Sequence, residues 1–172
     1  MTVTVNVRGI DEAIRQLEEY GNRVERAGAE IVSRLALIGY DVAYTVMSTH
    51  IYSGETIGSL TIVENDPTHY TLLASSTALL FFEFGAGANG SGHPQAAEFG
   101  FGPGTYPGQT HAFDPNGWWY PTDDDQLAVR IDSQGRGWAH SYGNPPHMPF
   151  YKASVKMRKD LEQVAREVLQ GD

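Results

Sequence analysis

The residues with the most to offer chemically lie between positions 79 and 147. The stretch 79–90 reads LLFFEFGAGANG, so glycines at 85, 87 and 90 spell G-x-G-x-x-G behind an apolar run. In a dinucleotide site the third glycine opens a helix whose N-terminus holds the pyrophosphate, and an acidic residue about 20 positions on takes the ribose. Here the continuation, SGHPQAAEFGFGPGTYPGQTHAFDPNG, carries Pro94, Pro103, Pro107 and Pro115 and leaves no room for a crossover helix. Asp114 stands near the acidic distance, but no second strand precedes it. The motif reads as a turn in a glycine-rich loop.

Other chemistry is weighed in the same way. His93, His111, His140 and His147, with Asp114 and Asp123-Asp124-Asp125, are donors for a hard or borderline metal, which leaves a metal-dependent hydrolase as the alternative function. No H-E-x-x-H or comparable spacing fixes them, and consecutive aspartates cannot all face one ion; they are more often a solvated turn. Ser91-Gly92-His93 is adjacency and not a triad, which geometry defines. Glu83, between Phe82 and Phe84, is either a raised-pKa general acid or a carboxylate that caps the N–H groups of the following turn or pairs with a partner's cation; the second is favoured. Trp118-Trp119-Tyr120 reads as self-packing ahead of a sugar or base platform, with an interface role favoured by its place in a long loop. Lys152, Lys156, Arg158 and Lys159 form either a solvated helix face or a docking surface for an acidic patch on an adjacent chain.

Bulk properties restrict the setting. The 172 residues suffice for one domain with a real core, residues 1–172 being read as a single domain. No apolar run approaches the ~20 residues of a membrane span, and the alternating MTVTVNVRGID is a strand and not a signal peptide. Absence of cysteine removes disulfides and thiolate metal sites and fits intracellular synthesis. The net charge of −9 is segregated: no Lys or Arg stands between Arg34 and Arg130, an interval with ten acids. Such a surface does not grip phosphates, but it suits a passage through which nucleic acid slides.

The elements that must position these residues follow from periodicity. Val3, Val5 and Val7 alternate with polar residues over 2–8, a half-buried strand. From Ile10 apolar residues recur in steps of four and three through Ile14, Leu17, Val24, Ile31, Leu35, Ile38 and Val42, a helix face. Tyr20-Gly21-Asn22 with Glu25 predicts a stop and a new capping box, hence helices near 11–20 and 23–49. Gly28 inside the second costs about 1 kcal/mol against Ala unless a neighbour packs closely there. Ser53-Gly54 marks a turn. SLTIVE and HYTLLAS predict a hairpin around NDPT, and TALLFFEF a short helix capped by Ser75 or Ser76. Residues 85–122, with nine glycines and five prolines, predict one long loop whose aromatics pack on something. QLAVRIDSQG predicts a strand and turn, and Phe150, Ala153, Met157, Leu161, Val164 and Val168 a final helix entered through Pro149 and stopped at Gly171. Phe84 and Phe150 are expected core anchors. The fold class is α+β, the long helix and the C-terminal helix packed on a mostly antiparallel sheet.

Four features in order resemble the head–tail joining and tail-component (neck, tail-completion) proteins of long-tailed bacteriophages: the N-terminal strand with Gly9-Ile10-Asp11 and a long helix; Gly54 with Ser59-Leu60; Glu83-Phe84-Gly85-Ala86-Gly87, similar to the family's E-F-G-T-G; and Pro146-His147-Met148-Pro149-Phe150 with Ala153. The resemblance spans roughly 9–169; Ala86 stands where the family has threonine, and the long acidic loop lacks the basic residues many relatives carry. It implies a structural virion protein without enzymatic activity or cofactor, assembled in the bacterial host cytoplasm. Such a protein forms a ring with copies of itself between the head connector and the tail tube or its terminator, and DNA passes through the ring. On that reading the GAG turn lets the chain leave the core and reach a neighbour. Expected interface residues are Glu83, Phe84, Gly85, Gly87, Trp118, Trp119, Lys152 and Lys156, and the expected DNA-passage surface is Glu98, Asp123, Asp124 and Asp125.

Overall fold

A computed structural model describes residues 9–50, 57–76, 78–107, 112–124 and 127–171, with His50 as backbone only. The expected strand at 2–8, the Ser53-Gly54 turn, His111 and Asp125 lie outside the described residues.

The three-and-four apolar spacing builds one continuous helix, α1 (Ile10–His50), where two were expected. The Gly21-Asn22 stop signal does not operate. Breaking a helix here would forfeit a nucleation cost larger than the ~1 kcal/mol of one glycine. Ion pairs at helical spacing, Glu12 and Glu19 with Arg15 and Glu30 with Arg34, run along the exposed side. Asn22 offers its carbonyl to Arg26 Nε instead of capping a new helix.

The predicted hairpin forms as β1 (Thr61–Asp66) and β2 (His69–Leu73), antiparallel, with Ile62 opposite Leu72 and a bulge between Glu64 and Asp66. Its turn is closed by Asp66, whose Oδ1 accepts from the Thr68 N–H and hydroxyl, both at 2.8 Å. The His69 ring beside it, and then Thr68, draw the Asp66 carboxyl from its ordinary 3.8 down to about 2.

TALLFFEF becomes the short helix α2 (Leu79–Phe84), with Ser76 Oγ accepting the Ala78 N–H just ahead of it. The span 85–122, expected as one loop, contains a helical turn, α3 (Ala96–Phe99), and a strand, β3 (Trp118–Thr122). β3 pairs with β5 (Gly137–Ser141), which also pairs with the two-residue β4 (Arg130–Ile131), giving a three-stranded antiparallel sheet in the order β3-β5-β4. β5 went unread because GWAHS lacks the β-branched alternation that marks a strand. The chain closes with α4 (Pro149–Gln170), as predicted.

The fold is α+β, but the two long helices pack mainly on each other, flanked by two small antiparallel sheets. One core cluster joins Ala43 and Met47 of α1 to Leu60, Phe82 and Ala153, with Leu72 and Phe150 against it. A second joins Ala27, Ile31, Leu35 and Ile38 to Val164 and Val168. A third, formed without the two long helices, gathers Phe84, Ala86 and Tyr106 with Phe81, Ala96 and Phe101. Phe84 is 8% exposed and Phe150 is partly buried, so both serve as anchors.

Two glycines of α1 differ in their surroundings. A β-carbon on Gly28 meets nothing within 4 Å, whereas one on Gly39 would stand 2.7 Å from Met157 Sδ and 2.9 Å from Leu72 Cδ1. Gly28→Ala is therefore expected to raise stability by about 0.5–1 kcal/mol and Gly39→Ala to raise it less, because the ends of Met157 and Leu72 must move aside, both read from thermal unfolding; equal effects would contradict the packing. Because the folded value of Asp66 lies below its unfolded one, its contribution is complete above about pH 4 and is lost as pH falls towards 2. An NMR titration of Asp66 should show a midpoint near 2 that moves towards 3.8 in His69→Ala.

Candidate functional site

Three successive side chains of α2 face three different parts of the molecule. Phe82 enters the cluster between α1 and α4, Phe84 enters the third cluster, and Glu83 between them is buried at the entrance of α4. Phe150 and Tyr151, in the first turn of α4, carry N–H groups with no intrahelical acceptor, while Pro149 at the first position has none to satisfy. Glu83 takes both: Oε2 accepts from Phe150 N and Oε1 from Tyr151 N, each at 2.9 Å. A carboxylate 67 residues away in sequence thus does what an N-cap side chain usually does, and it sits where the helix dipole is positive.

His93 completes the group. Its Nδ1 accepts from Gln95 N–H at 3.1 Å, so in the neutral ring the proton lies on Nε2, which faces Glu83 Oε1 at 3.2 Å. Its ring packs between Phe84 and Tyr151, with centroids 4.5 Å and 5.3 Å away. Both nitrogens are engaged, so His93 is a structural partner here and not the metal donor weighed above.

The approach to α4 is fixed from the same side. His147 N–H donates to Phe82 O at 2.9 Å and its ring stacks on Phe82; Asn144 Nδ2 donates to Phe81 O. Met148, held between His147 and Pro149, takes the left-handed conformation (φ 61°), which a residue other than glycine rarely adopts. The Tyr106 hydroxyl donates towards Gly85 O at 2.8 Å, with Leu80 O at 3.2 Å, and burial raises its pKa above the ordinary phenol value.

This geometry corrects the reading of the glycine turn. Ala86 and Asn144 exchange a pair of backbone hydrogen bonds, Asn89 N donates to Tyr142 O and Gly90 N to Gly87 O. Those N–H groups bond the chain to itself and are not a phosphate cradle. A β-carbon on Gly87 would stand 2.6 Å from Gly143 Cα, and one on Gly85 would collide with the Gly90 carbonyl, both at positive φ. The turn therefore holds residues 85–90 against 142–144, where it was expected to let the chain leave the core. Likewise Glu83 caps a distant helix, where it was expected to cap the following turn.

Of the residues expected at an interface, Glu83, Phe84, Gly85 and Gly87 are buried in the chain and Trp118 is half-buried, whereas Trp119, Lys152 and Lys156 are exposed. Lys156 pairs with Asp160. Glu98, Asp123 and Asp124 are exposed. Trp119 lies beside His140 and, with Trp138, Arg130 and Asp132, walls a shallow cleft of about 240 Å³. Asp132 is committed there: it accepts from Trp138 Nε1, which holds its carboxyl below the usual range, and from the backbone of Gln134 and Arg136. Among the described residues no group of three or more His, Asp or Glu converges as a metal site, and no described helix is long and apolar enough to cross a membrane.

Sequence reasoning missed the partners of Glu83. The EFG and PHMPF stretches stood out separately, but nothing in their spacing says that one caps the other. Pro149, opening a helix with no Ser, Thr, Asp or Asn ahead of it, was the available signal that the cap comes from elsewhere.

Glu83→Ala leaves two helix-entrance N–H groups and His93 Nε2 without their acceptor. It should cost about 3 kcal/mol, seen as a lower denaturant midpoint, and Glu83→Gln, which keeps one acceptor oxygen, about half as much. A Glu83→Ala protein within 0.5 kcal/mol of the parent, at the level of an ordinary surface change, would show that the carboxylate is not a structural cap.

Comparison with protein-family models, with curated proteins and with solved structures finds no match.

Proposed function

We propose that this chain is a structural, non-enzymatic subunit that assembles with copies of itself into a ring, and that the ring is part of the neck of a long-tailed bacteriophage virion. There it joins head connector to tail tube or terminator during tail completion. The observation that carries assembly is the first part of α1. Residues 9–26 are exposed throughout, yet they continue the apolar stripe that α4 covers further on: Ile10, Ile14, Leu17, Tyr20 and Val24 are each half or more exposed, or close to it, with Leu17 at 70%. Among the described residues nothing covers that stripe, and an uncovered stripe of this kind marks a contact surface. The place in the virion is argued from the resemblance of the EFGAG and PHMPF stretches. These meet at the Glu83 cap, so the resemblance falls on residues that define a fold and not on a catalytic set.

The acidic interval supports the passage role. Glu98, Asp123 and Asp124 are exposed in a region without Lys or Arg, and like charge keeps a phosphate backbone from adhering. Asp125 belongs to the same expected surface and lies outside the described residues.

Native mass measurement across micromolar concentrations tests this. The expected result is a discrete oligomer in multiples of the 18.9 kDa chain, seen as closed rings by electron microscopy. A chain that stays single throughout, or that turns over a substrate, would overturn the proposal.

A further inference from the structure

The unpartnered stripe of α1 has a complementary surface on the same molecule, one it cannot reach itself. At 1.5 Å per residue the 41-residue α1 is about 61 Å long and the 22-residue α4 about 33 Å. α4 covers α1 from Ala27 onwards, so residues 10–26 form an arm of roughly 25 Å. Residues 10–20 of the arm are acidic: Asp11, Glu12, Glu18 and Glu19 against Arg15 alone, which is itself tied to Glu12 and Glu19.

Between α1, β2 and α4 lies an open apolar groove of about 400 Å³, walled by Val32, Leu35, Leu72, Met157 and Leu161, with Arg158 at its edge. Arg158 is exposed and borders the groove, whereas Lys152, Lys156 and Lys159 fall on the opposite side of α4. An apolar groove with a cation at its edge is the complement of an amphipathic helix with apolar and acidic faces, the helix-in-groove mode of recognition.

The arm cannot fill its own groove. Val32 and Leu35 belong to the same unbroken helix a few residues beyond the arm, and a helix cannot fold onto its own continuation. We propose that the arm at residues 10–26 of one copy docks into the α1–β2–α4 groove of the next, with Ile14 and Leu17 entering the groove and Glu18 meeting Arg158. This contact is head-to-tail. It uses two different patches of each chain and so propagates from copy to copy, closing into a ring when the rotation permits. The inference rests on the proposed self-assembly and specifies its interface. A symmetric pairing of two arms would leave the groove and Arg158 unused.

The test uses two full-length variants altered only at exposed positions. Ile14→Asp with Leu17→Asp blocks the arm; Arg158→Glu with Leu161→Glu blocks the groove. Circular dichroism should show both folded. Each alone should be monomeric by native mass, and an equimolar mixture should form a species of two chains that grows no further, because only one arm and one groove remain competent. In addition, the Arg158→Glu single variant should weaken assembly at least tenfold, and Glu18→Arg should restore it. If the parent assembles but the mixture stays monomeric, the arm-in-groove contact is wrong while self-assembly stands. If the groove-blocked variant alone forms dimers, the arms pair with each other and the inference fails. A parent that is monomeric at every concentration overturns the proposed function and this interface together.

Discussion

One buried carboxylate ties the molecule together. Glu83 places both oxygens at the entrance of α4, and the helix it caps is the one that packs along α1. Because Glu83 is flanked by Phe82 and Phe84, the same short helix is pinned in two hydrophobic clusters at once. A shift of α2 by one residue would turn an acid into one of those clusters and leave the first turn of α4 with bare N–H groups, each costing about 1–3 kcal/mol if buried unsatisfied. The glycine turn follows from this constraint. The chain must double back within a few residues of Phe84 to lie against 142–144, and only glycine at 87 and 143 lets the two backbones approach.

What was legible in the sequence was what local periodicity records. The stripe from Ile10, the hairpin around Pro67, the TALLFFEF helix and the stripe from Phe150 each formed. The Gly21-Asn22 break failed because local stop signals are weak beside the cooperativity of a helix already begun. The three-stranded sheet was half-missed: β3 lay hidden in a Gly/Pro-rich span, and β5 gains its pairing from partners on both sides and not from its own residues. The candidate site was legible as residues and not as relations. Glu83 stood out, yet its partners lie 10 to 68 positions away and pairing at such range leaves no local trace.

Charge and shape point to the same kind of role. Two of the chemical candidates serve the fold: His93 orients against Glu83, and the G-x-G-x-x-G amides bond to their own chain. The surface retains an acidic middle, a basic first half of α4 and an apolar arm, features that matter when another macromolecule is present. The arm is also the costliest of these to leave uncovered, since burial of its stripe contributes about 25 cal/mol per Å² of apolar surface removed from water.

Amide hydrogen exchange along α1 as a function of protein concentration tests most directly whether this arm exists to be covered by another copy. The account predicts that residues 10–26 exchange quickly in dilute solution and become protected as concentration rises, as do residues 32–36 on the groove wall, while residues 39–50, already packed on α4 and the hairpin, stay unchanged. Protection of residues 10–26 that is independent of concentration, whether uniformly low or uniformly high, would contradict it.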